Sequence, residues 1–205
     1  MTDLKIIGSE EWCVFESLGI PAIKARVDSG AKTSSIQATN IKVVNRGAQE
    51  WVKFEVNPLQ ENRSITIPCE AKLVDRRMVK SSSGISEERL VVKTSVVMGD
   101  EKFDIELTLA NRDTMEFRML LGREAIIDRF VVNPAVSFQV QSFSEEEINQ
   151  KYAPYYKEKS GLKIALLASN PQLYSNKRII EAAEARGHEI VFLNVELAYM
   201  KLDAH

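Results

Sequence analysis

Ala25-Arg26-Val27-Asp28-Ser29-Gly30-Ala31-Lys32-Thr33-Ser34-Ser35-Ile36 is the stretch that decides how the chain reads. A short apolar approach ends in an aspartate; Ser-Gly-Ala follows at once, then a cluster of hydroxyls. Glycine at position 30 permits a tight turn at positive φ, and its small neighbours let backbone N–H groups crowd toward the carboxylate. These residues alone leave two readings open. Asp, Ser and Gly are ordinary turn formers, so Asp28 can simply open a turn. Held at a strand end, the same carboxylate can instead activate a water molecule.

The bulk properties narrow the field. The chain has 205 residues, enough for one domain plus a fragment of another, and a formal net charge of -2. Near-balanced charge advertises neither nucleic acid nor a membrane surface as a partner. Residues 1–10 are too polar for a secretory leader, and no apolar run approaches the roughly 20 residues that span a bilayer. The two cysteines, Cys13 and Cys69, lie far apart in apolar surroundings and read as buried thiols of a reducing, cytoplasmic compartment.

From residue 11 to about 140 the pattern is that of strands. Val52, Phe54 and Val56 alternate with Lys53 and Glu55, and Phe103, Ile105, Leu107 and Leu109 alternate with charged or hydroxyl residues. A period of two hides one face and wets the other. Ile65 and Ile67 lead into Pro68 and Cys69 in the same style, and Val136, Phe138 and Val140 alternate again. Turn signals at Arg46-Gly47, Asn57-Pro58, Gly84 and Met98-Gly99-Asp100 separate the runs, as in a small barrel or sandwich. One helical signal interrupts them: Arg123 to Phe130, with Ile126, Ile127 and Phe130 on one face.

After Val140 the character changes. Ser144-Glu145-Glu146-Glu147 is a capping-box pattern that opens a short helix. The polar, Tyr/Lys-rich continuation to Gly161 reads as a linker. Leu162 to Ala168 is a compact apolar run suited to a parallel strand. A helix capped at Ser175 and stopped by Gly187 follows, then a second strand at 189–193. One βαβ unit cannot bury both faces of its sheet, so residues 162–205 read as an incomplete α/β piece. His188 sits at the helix-to-strand corner and reads as structural.

Candidate chemistry is limited by what is missing from the motifs. The only histidines, His188 and His205, lie in the tail, which leaves nucleophilic triads and ordinary zinc sites without support. No Gly-rich phosphate loop is present. Carboxylate chemistry remains.

Here the resemblance to a known family enters. An early Asp-Ser-Gly-Ala turn, followed by Met119-Leu120-Leu121-Gly122-Arg123 and a short helix, resembles the retropepsin-like aspartic peptidases. Ile23 to Ser35, Glu106-Leu107-Thr108-Leu109-Ala110-Asn111-Arg112 and 119–123 are similar to the bacterial branch often called ATP-dependent zinc protease. The tail, through Leu173-Tyr174-Ser175-Asn176-Lys177-Arg178 and Arg186-Gly187-His188, resembles the N-terminal segment of ribosomal-protein glutamate ligases of the ATP-grasp class.

The resemblance implies a mostly β, closed barrel-like acid protease fold with one short helix over 1–140. A linker over 141–161 and a partial βαβ segment over 162–205 complete the expected organisation. It also implies catalysis by Asp28 with Ser29 and Gly30, Ser29 and Gly30 holding the carboxylate by hydroxyl and backbone bonds. Leu121, Gly122 and Arg123 would support the site from behind. One Asp-Ser-Gly per chain implies a homodimer, whose two Asp28 share a proton and need neither metal nor ATP.

Two departures stand out. Lys32 occupies a place where classical retropepsins carry an acid, which leaves Arg123 to Glu116 or Glu124. A Gly-rich flap tip is also missing; the nearest candidate is Ser81-Ser82-Ser83-Gly84, between Val79 and Leu90. Ala31, Lys32, Thr33, Arg77, Lys80 and Arg89 are the candidate substrate contacts. The hairpin cations, with Arg76, read equally as a solvated edge that discourages sheet pairing. As cleft cations they would favour glutamate-rich peptides, and the partners then expected are a glutamate-rich protein tail and a glutamate ligase. A non-catalytic adaptor for glutamylated tails and a metal-dependent peptidase are the alternatives.

Overall fold

The computed structural model describes residues 4–60, 62, 64–80, 86–113, 115–156, 162–184 and 186–196. The chain divides into two compact units, Met1–Tyr155 and Tyr156–His205. It is mostly β, with short helices and a C-terminal βαβ piece. Among the described residues no helix is long and apolar enough to cross a membrane.

The first unit opens with β1 (Lys5–Ile7), β2 (Glu10–Phe15), β3 (Ile20–Asp28) and β4 (Ser34–Gln37). It continues with β5 (Thr39–Arg46), β6 (Gln49–Val56), β7 (Ile67–Lys80), β8 (Ser86–Met98) and β9 (Glu101–Ala110). Then come β10 (Met119–Gly122), α1 (Arg123–Ile126), β11 (Phe130–Val132) and α2 (Glu145–Tyr152). The main sheet runs β2-β3-β10-β4-β9-β8-β7-β6-β5, and β2 also pairs with β8 through Val14 and Val97. That extra pairing closes six strands into a barrel, which removes the open edges a flat sheet would expose. β5 and β6 extend from β7 as an antiparallel flap of sheet.

Alternation fills the barrel. Ala22, Ile23 and Ala25 of β3, Ile36 of β4, Leu107 and Leu109 of β9, and Met119 and Leu121 of β10 are buried in one apolar core. Cys13 and Cys69 are buried free thiols. Burial pushes the Cys69 thiol up to about 12 and the Cys13 thiol higher still, so both are inert apolar fillers.

Several expectations need correcting. The helix after Gly122 ends at Ile126; Ile127 is exposed, and Phe130 belongs to a strand. Asp128 adopts φ 61°, a left-handed conformation that a helix cannot continue through. Residues 133–140 form no strand. They lie as an irregular strap whose Gln139 and Val140 N–H groups donate to the buried Glu11 carboxylate at 2.9 and 3.4 Å, while Gly8 donates to it at 2.7 Å. Phe138 at φ 55° breaks the extended path, and its ring packs tilted against Trp12.

The capping box forms as the spacing predicts: Glu147 N donates to Ser144 Oγ at 3.2 Å, and Ser144 N to Glu147 Oε2 at 2.7 Å. Those bonds hold the Glu147 carboxyl below its usual range. The helix it opens, α2, is not a free linker. Tyr152 is fully buried, its hydroxyl donating to the Ala22 carbonyl, and α2 belongs to the first unit.

In the second unit β12 (Lys163–Ala168) and β13 (Glu189–Asn194) pair in parallel, joined by α3 (Tyr174–Glu184). The helix begins one residue before Ser175, which therefore lies inside it rather than capping it. Gly187 stops it at φ 74°, where His188 N reaches back to the Ala183 carbonyl. His188 is structural, its Nδ1 accepting from Leu162 N at 3.3 Å.

Replacing Glu11 by Gln swaps one buried acceptor for a donor facing backbone N–H groups. Glu11→Gln should cost about 1 kcal/mol or more, read from urea unfolding.

Candidate active site

Asp28 is the last residue of β3, and β10 lies beside it in parallel, with Gly122 opposite Asp28 and Leu121 opposite Val27. On its other side β10 runs antiparallel to β4, Leu120 opposite Ser35. The chain leaving Asp28 must therefore step across the end of β10 to reach β4. Residues 29–33 make that step, and they pass so close over Gly122 that a Cβ there would sit 2.5 Å from the Thr33 carbonyl carbon. Glycine is required by space, since Gly122 has an ordinary extended backbone (φ -82°).

The loop and the helix behind it satisfy each other. The first N–H groups of a helix have no partner within it, and Gly122 offers no side-chain cap. Instead Arg123 N donates to the Ala31 carbonyl at 2.8 Å and Glu124 N to the Lys32 carbonyl at 3.0 Å. Gly122 N donates to Ser34 Oγ at 3.0 Å. These contacts hold Gly122 and Arg123 against the loop that follows Asp28.

The Asp28 carboxylate is half-buried and held by backbone donors: Oδ1 accepts from Gly30 N at 2.9 Å and Ala31 N at 3.2 Å. No bond from the Ser29 hydroxyl reaches it among the described residues, contrary to expectation. Gly30 does not take positive φ. Its value is again space, because a Cβ there would lie 3.1 Å from Asp28 Oδ1. Arg123 finds no carboxylate among the described residues; Nη1 donates to the Ser29 carbonyl at 3.0 Å. Lys32 takes Glu124 instead, at 3.6 Å, and Thr33 Oγ1 donates to Glu124 Oε2 at 3.2 Å.

The β7–β8 hairpin arms rise next to this loop, paired out to Lys80 and Ser86. The tip 81–85, including the Ser81–Gly84 candidate, and the Lys80 side chain lie outside the described residues. Arg77 Nη1 donates to Thr33 Oγ1 at 3.3 Å, tying the arm to the Asp28 loop. The three arginines of the hairpin arms each have a carboxylate: Arg76 with Glu50, Arg77 with Asp75 and Glu106, Arg89 with Glu87. The bond from Asp75, above all, raises the pKa of Arg77. A cavity of about 320 Å³ lies between Arg77, Glu106, Glu124 and Ser34.

Arg112 lies between β9 and β10. It follows β9 and is half-buried, with Nε donating to the Phe117 carbonyl at 3.1 Å. Burial, first of all, and the neighbouring Arg89 charge hold its guanidinium below its ordinary value, while the Asp28 carboxylate pulls the other way. Among the described residues no three His, Cys, Asp or Glu side chains gather into a group that would hold a metal.

The family described as retropepsin-like aspartic endopeptidase RimB matches residues 6–142, and the RimK PreATP-grasp domain matches 162–205. A Shewanella pealeana protein named probable alpha-L-glutamate ligase is 56% identical over the whole chain, which covers 45% of that protein. A Desulfotalea psychrophila protein of the same name is 52% identical over 97% of the chain and 43% of its own length. The chain thus spans less than half the length of these relatives. A crystal structure from Legionella pneumophila, described as a protein with unknown function, superimposes with a TM-score of 0.56 at 27% identity. That match covers 67% of this chain and 98% of the other. With an Asp-Ser-Gly carboxylate seated against Leu121-Gly122-Arg123 and a family match over more than half its length, the chain belongs to the RimB-like family of retropepsin-like aspartic endopeptidases.

Proposed function

We propose that the chain is an aspartic endopeptidase that works as a homodimer and cuts glutamate-rich protein tails. The observation that carries this reading is the Asp28 carboxylate, aimed from a strand end, held by two backbone N–H groups and braced by Gly122. The chain supplies one such carboxylate, and general acid–base hydrolysis of a peptide needs two roles filled.

Two chains facing each other fill them. Like charges that close do not both ionise cheaply, so the pair shares a proton and titrates as a unit. The ionised Asp28 takes a proton from water as that water attacks the scissile carbonyl. The protonated Asp28 of the other chain donates to the carbonyl oxygen, and the tetrahedral species collapses with proton transfer to the leaving amine. The backbone donors at Gly30 and Ala31 keep each carboxylate in place throughout.

An apolar face supports the pairing. β1 and β11 form a separate two-stranded parallel ribbon with Ile6 opposite Val131. Ile7 and Phe130 point into the core, while Ile6 and Val131 stay 56% and 49% exposed, with Leu4 and Ile127 exposed as well. A second copy would cover this ribbon and its open edges. The substrate class is supported by the second segment: its relatives carry the name probable alpha-L-glutamate ligase, and a peptidase joined to such a segment would oppose glutamate addition.

Asp28→Asn should abolish cleavage of a glutamate-tailed peptide, and the wild-type activity should survive a chelator with a bell-shaped pH profile. Full activity in Asp28→Asn overturns the aspartic mechanism; activity lost to chelator favours the metal-dependent reading. Tail binding without cleavage by the wild type favours the adaptor. Ile6→Asp combined with Val131→Asp should convert the dimer to a monomer in light scattering and remove cleavage with it. Gly122→Ala should lower both stability, by about 2 kcal/mol from overpacking in urea melts, and activity, through the displaced 29–33 loop.

A further inference from the structure

The sheet made by β5, β6 and the first half of β7 has two unlike faces. Val52, Phe54, Cys69 and Ala71 are buried in the core on one of them. On the other, Lys42 of β5 stands directly opposite Lys53 of β6, and Lys53 opposite Glu70 of β7. Two residues along, Val44, Trp51 and Lys72 make the next row of the same face. Residues directly opposite hold their Cβ atoms roughly 5 Å apart, and like charges so placed destabilise the pair.

The acids of this face already have donors, and its lysines lack acids. Glu70 Oε2 accepts from Arg46 Nη2 at 2.7 Å, and Glu55 Oε2 from Asn40 Nδ2 at 2.7 Å. Lys42, Lys53 and Lys72 are exposed and make no ion pair among the described residues. The register of β5 on β6 shifts between Thr39 and Lys42, where Asn40 takes φ 51°. An extra residue of this kind bends its strand. A cavity of about 600 Å³ opens there, with Asn40, Lys42, Lys53, Glu55 and Glu70 in its lining. That volume lies within the span of about 300–1,000 Å³ typical of ligand sites.

We propose that this lysine face, centred on the cavity between Lys42 and Lys53, is a docking site for a glutamate-rich peptide segment. It rests on the glutamate-tail reading above for the identity of its ligand. Carboxylates on one side of an extended glutamate peptide recur about every 7 Å. The diagonal from Lys53 to Lys72 is of the same order, about 7–8 Å between Cβ atoms. A carboxylate settling between Lys42 and Lys53 offsets the repulsion that the register imposes on them. Trp51 favours a peptide over a nucleic acid as the occupant. The Arg46 guanidinium already sits over its ring, 5.0 Å from the centroid, on the surface where a base would stack.

Fluorescein-labelled decaglutamate titrated into the Asp28→Asn chain measures docking apart from cleavage. It should bind, with affinity falling as salt rises. Adding Lys42→Gln with Lys53→Gln should weaken binding about three- to tenfold, the scale of two exposed ion pairs. Lys102→Gln with Lys163→Gln removes the same charge from lysines already paired with Glu16 and Glu189, and should leave affinity unchanged. Lys42→Glu alone, set opposite Lys53, should weaken binding while raising the melting temperature. A melt of each variant separates lost docking from lost folding. Unchanged affinity in the Lys42 and Lys53 pair, an equal loss in the control pair, or no decaglutamate binding to Asp28→Asn overturns the docking site. Tighter binding of a single-stranded RNA 20-mer, weakened by the same substitutions, overturns it too and gives the face to nucleic acid. Wild-type cleavage of a long glutamate tail that is indifferent to the Lys42 and Lys53 pair overturns the docking site and leaves the peptidase reading standing. No cleavage by the wild type while the binding differences persist does the reverse.

Discussion

Gly122 beneath the peptide joining Thr33 to Ser34 is the contact on which the rest of the site depends. A strand brought in from late in the chain separates β3 from β4, parallel to one and antiparallel to the other. The loop after Asp28 has to cross over that strand's end, and only a residue without a side chain lets it pass. Once it passes, its carbonyls accept the first N–H groups of α1, and its own N–H groups turn inward to the Asp28 carboxylate. A steric demand at one position thereby becomes an electrostatic arrangement at another.

Around that centre the barrel does ordinary work. The β2–β8 pairing closes the sheet, so that strands otherwise open at the edge share a core with Ile36, Leu107 and Leu121. Buried Glu11 plays a similar role for the irregular strap, accepting three backbone donors that would otherwise lie unpaired away from water. Arg77 ties a hairpin arm to the Asp28 loop through Thr33 while its charge is spent on Asp75 and Glu106. Arg112 has the opposite character: firmly anchored, partly desolvated, and near a second cation.

Much of the β framework was legible. Strict alternation over Phe103–Leu109 and Val52–Val56 marks strands because side chains on successive residues point to opposite faces, and both runs form strands. Ser144 to Glu147 spelled its own helix start, since a capping box is closed by residues three apart. Alternation misled at Val136, Phe138 and Val140, where a distant carboxylate takes the backbone donors that a sheet neighbour would otherwise take. Periodicity misled at Ile127 and Phe130, because Asp128 turns left-handed and a neighbouring β1 claims Phe130 for a ribbon. Glu11 and β1, which decide the strap and the fate of Phe130, both lie far away in sequence.

The sequence by itself determined the chemistry available: one Asp-Ser-Gly turn, a later Leu-Leu-Gly-Arg, no histidine in the β unit, and strands enough to build a barrel around them. These are local facts, carried by residue types and short spacings. The tertiary structure decided which atoms serve that chemistry. It gave the carboxylate to the N–H groups of Gly30 and Ala31, passed Arg123 to the Ser29 carbonyl, and gave Lys32 to Glu124. Those assignments follow from which strands end side by side, and pairing between distant strands is set by the packing of the whole barrel.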